Sequence, residues 1–93
     1  MGDPSIEDFA PKVGESFSIP AGDGAMAMTL ETAQPLPAGV REAGSFRLVF
    51  RGPPEPALAQ AIYPFAHGGR TFDIFIVPIA RDEAGMLYEA IFN

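Results

Sequence analysis

The side chains able to do chemistry are few in this sequence, and they are scattered. His67 is the single histidine and stands just before Gly68-Gly69. Catalysis or metal binding would need partners that the sequence does not place beside it, so it reads as a strand-end or loop histidine. Gly22-Asp23-Gly24 has the look of a phosphate or calcium loop. It lacks both the following Lys-Ser/Thr and the repeated acidic ligands, so it reads as a turn. Asp73 and Glu89 could form a carboxylate pair, the minimal equipment of a glycosidase. Arg47 and Arg51 share one stripe of a strand and could hold an anion or pair with acids on neighbouring strands. Cysteine is absent, which removes disulfides, thiolate metal sites and Cys nucleophiles. No nucleophile elbow, zinc spacing or phosphate loop is present. The expectation is a chain with no catalytic residues, no metal site and no cofactor.

The elements that must carry these residues are strands. Thr71–Asn93 reads T-F-D-I-F-I-V-P-I-A, then R-D-E-A-G, then M-L-Y-E-A-I-F-N. Two β-branched and aromatic runs around a polar stretch with a glycine predict a hairpin. Its first strand has apolar residues on both stripes: Phe72, Ile74 and Ile76 on one, Phe75, Val77 and Ile79 on the other. Such a strand is central, lies where a sheet crosses over itself, or has one face sealed by another copy, which makes Phe75 and Val77 candidate interface residues. Pro78 implies a late bulge. On the last strand Glu89 stands between apolar neighbours. Burial would raise its pKa unless a cation offsets the cost, so a structural ion pair is expected, with Arg51 the first choice and Arg47 the second.

Upstream, Asp3 and Pro4 predict a short helical turn capped by Asp3, with Ile6 and Phe9 plugging one end of the core. Pro11 and Gly14 end it. Strands are expected at Ser16–Ile19, Ala25–Ala33, Ser45–Gly52 and Leu58–His67, with Met26, Met28, Leu30 and Thr32 on one face of the second. Gln34–Gly44 reads as a long Pro/Gly loop. Gln60, among apolar neighbours, is expected to clamp loop backbone from a buried position. Short turns suggest meander connections.

At 93 residues the chain fits one domain, 1–93, of which 1–14 is the helical turn and lead-in. With 47% hydrophobic residues it can build a core. Six Lys and Arg against twelve acids leave a net charge of −6, and the basic residues do not cluster. Nucleic acid and anionic membranes are poor partners for such a surface. No apolar run reaches the roughly 20 residues of a membrane-spanning helix, and no apolar segment of signal-peptide type follows Met1, so the location is open: cytoplasmic or within an exported assembly.

The segments F-R-G-P at Phe50–Pro53, Gln60 with Tyr63, I-F-I-V-P-I at Ile74–Ile79 and the terminal Y-E-A-I-F-N at Tyr88–Asn93 resemble a small uncharacterised bacterial all-β domain family, as does F-A-P-K-V-G-E-S-F at Phe9–Phe17. The resemblance covers nearly the whole chain. Members are often encoded near microcystin-dependent, phage-tail-collar-type proteins, which implies a place in a tail-like or surface assembly. It supplies no catalytic residue. The combined expectation is a small antiparallel barrel or sandwich of about six strands with a short N-terminal helix. Its role is expected to be a non-enzymatic structural or interaction module with a protein partner or self-association. The alternatives are a small-ligand-binding barrel or a carboxylate-dependent hydrolase.

Overall fold

A computed structural model describes residues 4–37 and 44–92. Six strands form a closed antiparallel barrel in the order β1-β2-β3-β6-β5-β4. They are β1 (Ser16–Ala21), β2 (Gly24–Leu36), β3 (Ser45–Gly52), β4 (Ala61–His67), β5 (Arg70–Asp82) and β6 (Gly85–Phe92). The expected all-β class, strand number and N-terminal helix are all present. Two 3₁₀ turns, Ile6–Asp8 and Ala10–Lys12, make up that helix.

The topology is not a plain meander. Two three-stranded meanders, β1-β2-β3 and β4-β5-β6, meet at β3–β6 and at β1–β4. A crossover between Gly52 and Ala61 links them, because the prolines at 53, 54 and 56 cannot continue a ladder. Leu58–Gln60 belongs to this crossover rather than to a strand. Gln60 is exposed, which corrects the expectation of a buried amide clamp. Two tyrosines hold the crossover instead. Tyr88 Oη accepts from the Leu58 N–H at 2.8 Å, and Tyr63 Oη donates to the Ala59 carbonyl at 2.7 Å.

The long strands β2 and β5 each serve two neighbours. β2 pairs with β1 up to Thr29 and with β3 from Thr29 onward. β5 pairs with β4 through Ile76 and with β6 from Val77. Each bends at a register shift, between Leu30 and Thr32 and between Pro78 and Ala80. A bulge adds one residue and flips the side-chain phase. Thr32 is therefore exposed, while Met26, Met28 and Leu30 are buried as their stripe predicts. The predicted loop at Gln34–Gly44 begins later, since Gln34–Leu36 completes β2; the part at 38–43 lies outside the described residues.

The interior is filled by side chains. Phe17, Phe50 and Phe65 pack with centroids 4.6 to 6.4 Å apart. Phe9 closes one end, wholly buried against Phe17, Phe46, Phe72 and Phe92. The plug expected of Ile6 and Phe9 is in place. Asp8 Oδ2 accepts the Ser5 N–H at 2.9 Å, so the local capping contact falls on Ser5 and Asp8; Asp3 lies outside the described residues, as does Asn93.

The β1–β4 junction is the thinnest part of the wall. A single pair, Ser18 with Ala66, joins the two strands. Continuing that register by two residues sets Pro20 opposite Pro64, and neither has an N–H to donate.

Candidate interaction surface

The arginine stripe of β3 faces outward and meets an acid on each side. Arg47 Nε donates to Glu89 Oε2 at 2.5 Å. Arg51 donates to Asp82 Oδ1 at 2.5 Å and lies 3.5 Å from Glu31. The partner of Glu89 is thus Arg47, the second choice, and the Arg51–Glu89 pair is corrected. Register alone leaves both arginines within reach of Glu89. Arg47 is opposite Ile91 and Arg51 opposite Leu87, so each arginine flanks Val49, the residue facing Glu89. Arg51 is drawn instead to the β5–β6 turn, where Asp82 also accepts the Ala84 N–H at 2.9 Å. The Arg51 guanidinium, aided by the Ala84 and Gly85 N–H groups, holds the Asp82 carboxyl below its usual range. Glu89 is 29% exposed in this pair, so it is half-buried on the outer wall rather than sealed in the core.

His67 ends β4, as expected. Its Nε2–H donates to Glu15 Oε1 at 2.7 Å, and its ring packs on Phe17 at 4.8 Å. This contact ties the start of β1 to the end of β4 beside the single Ser18–Ala66 pair. Gly22-Asp23 forms the two-residue turn between β1 and β2. Asp73 faces Pro64 and Glu89 faces Val77, four residues further along β5. Four residues of strand span about 13 Å, beyond the ~5–9.5 Å that separate working glycosidase carboxylates. Among the described residues, no group of three or more His, Cys, Asp or Glu is placed to hold a metal ion.

Phe75 and Val77 lie on the outer wall of β5. Phe75 is 48% exposed and Val77 is half-buried. Phe75 sits directly opposite Ile62 of β4, itself 66% exposed. Ile79, at the bulge, and Ile91, two residues past Glu89 on β6, are also exposed. Sequence reasoning named Phe75 and Val77 but missed Ile62, because the pairing of β4 with β5 is invisible in the chain. The doubled apolar stripe of β5 did carry the signal: within one chain only the Phe72–Ile74–Ile76 face is covered. Beside this patch an open groove of about 380 Å³ crosses the β1–β4 junction, lined by Ser18, Pro20, Ala25, Pro64, Ala66 and Thr71 among others.

Among the described residues, no helix is long and apolar enough to cross a membrane. The sequence matches, over residues 4–92, a protein family described as a domain of unknown function (DUF6916). The resemblance to an uncharacterised domain family spanning nearly the whole chain therefore holds. No curated protein and no solved structure matches the chain.

Proposed function

As the chain belongs to the DUF6916 family, whose function is unknown, we propose from its surface that it is a non-enzymatic interaction module working through the outer wall of β4, β5 and β6. The observation that carries this reading is the set of large apolar side chains left open there: Ile62, Phe75, Ile79 and Ile91. Single exposed apolar residues are ordinary, but a cross-strand Ile–Phe pair with further isoleucines nearby is a contiguous patch, and such patches mark contact surfaces. The interior supports the same reading. Phenylalanines and isoleucines fill the barrel, so the wall is what the molecule offers to others. The finer assignment, a subunit or accessory protein of a bacterial tail-like or surface assembly, rests on the family resemblance and the residues that carry it.

Tagged protein isolated after mild cross-linking from cells that make it tests the reading. Wild type is expected to bring down a defined set of proteins, which Phe75→Lys or Val77→Lys removes while the melting temperature stays within a few degrees. An unchanged set in both variants would overturn it.

A further inference from the structure

The basic side chains among the described residues are all engaged. Arg47 faces Glu89, Arg51 faces Asp82 and Glu31, Arg70 faces Asp8, and Arg81 faces Glu55. Lys12 donates to the Asp8 carbonyl at 2.6 Å. Asp73 is placed differently. It is exposed on the outer wall of β5, opposite Pro64, and among the described residues no hydrogen bond or ion pair reaches it. The charge left open on this wall is negative, in a chain of net charge −6. Its complement is a cation from outside, and a second copy has no disengaged base among the described residues to supply it.

Asp73 stands in the middle of a row. Three cross-strand pairs run along the outer wall of β4 and β5, all of them exposed: Ile62 with Phe75, Pro64 with Asp73, and Ala66 with Thr71. Successive outward positions on a strand are about 6.6 Å apart. At that repeat the row offers a large apolar pair, then a carboxylate, then the groove of about 380 Å³ that Pro64, Ala66 and Thr71 help to line. An extended segment of another protein presents the side chains of one face at the same repeat. Apolar, basic and apolar residues at alternate positions of such a segment therefore meet the row in register. The first lies on Ile62 and Phe75, the cation on Asp73, and the last in the groove. Arginine suits the middle position better than lysine, because its planar guanidinium can pair with the carboxylate and lie against the neighbouring Phe75 ring. The same three side-chain types already meet within this fold: Arg70 pairs with Asp8 at 3.1 Å and lies 4.6 Å from the Phe72 ring centroid. Side chains carry the contact, since Pro20 and Pro64 leave the nearby edge without N–H groups. One extended segment covers two strands, so the curvature of the barrel does not obstruct it.

We infer that the Ile62–Phe75 pair, Asp73 and the junction groove together dock an extended, arginine-bearing segment of a partner protein. The inference rests on the interaction-module reading and names the chemistry of its partner. An amide-resolved NMR titration of the isotope-labelled protein tests it, with two short capped peptides as probes. One carries leucine, arginine and valine at alternate central positions among serines and glycines; its twin has glutamate in place of arginine. The arginine peptide is expected to shift the resonances of Ile62, Ala66, Asp73 and Phe75 and to leave those of β3 in place. It should bind about tenfold more tightly than its twin, and more weakly as salt is raised. Asp73→Asn should weaken the arginine peptide about fivefold. Glu83→Gln removes the same charge from the exposed β5–β6 turn and should leave binding unchanged. Both sites are exposed, and unchanged melting curves confirm folding. No shift at millimolar peptide, equal binding of the twins, or an equal loss in Asp73→Asn and Glu83→Gln would overturn the inference. Such a failure, with the cross-linked partners still lost on Phe75→Lys, sinks only the arginine-bearing ligand and leaves the interaction-module reading standing.

Discussion

Gly85 opens β6 with φ at 139°, a conformation L side chains rarely adopt, and a Cβ there would overlap the Gly52 carbonyl. Both penalties act at once, so Gly85→Ala is expected to cost about 2–4 kcal/mol, read from the denaturation midpoint. Gly14 is the control. Its φ is 93°, but nothing lies within 4 Å of a Cβ, so Gly14→Ala should cost only about 1 kcal/mol. Tyr88→Phe leaves the fully buried ring and removes the acceptor of the Leu58 N–H. A loss of about 1 kcal/mol is expected, with faster amide exchange at Leu58. Glu89 behaves differently from a buried acid. With both members of its pair about 30% exposed, Glu89→Ala should cost ~1 kcal/mol or less, measured in the same way.

Among the elements, the N-terminal turns work as a plug that electrostatics fasten. Phe9 touches four other phenylalanines, so Phe9→Ala is expected to remove about 3–5 kcal/mol, much of the stability of a small domain. Asp8 holds the plug to the barrel. It accepts from the Ser5 N–H and from Arg70 Nη1 at 3.1 Å, and Arg70 lies over Phe72. The Ser5 N–H, with Arg70 assisting, lowers the Asp8 carboxyl below its ordinary 3.8. A lowered folded-state value means stabilisation that is complete above the unfolded value and disappears as pH falls through the folded one. Melting temperature should therefore drop as pH falls below about 4, and Asp8→Asn should flatten that part of the profile. Strand existence and the inward stripes of β2, β3 and β5 were legible from period-two patterning, because each wall buries one face. The order of strands was not. It depends on which edges meet, and the Gly52–Ala61 crossover leaves no trace in local periodicity. The ion-pair partner was half legible: both arginines lie on the right face and both flank the residue opposite Glu89, and the choice falls to Asp82 and Glu31, distant in sequence, which draw Arg51 away.

For the molecule as a whole, segregation of charge matters more than its total. Most of the ion pairs gather around β3, β6 and the plug, while the β1–β4 side is held by the His67–Glu15 contact and carries mainly alanine, serine, threonine and proline at its outward positions, with Asp73 beside the Ile62–Phe75 pair. The candidate interface was visible in part, through the doubled stripe of β5. Its other components, Ile62 and the groove, come from strands distant in sequence and appear only once the barrel closes.

The junction of β1 with β4 has a kinetic consequence. With one ladder pair and the His67–Glu15 clasp holding it, the wall is a cylinder with a zipper of few teeth. Deuterium should enter there first, at Ser18 and Ala66, well before the middle of β3. Once the zipper parts, the β1–β2 hairpin is free to swing as a flap about the bend at Leu30, and the order in which the barrel comes apart on heating is set at that edge.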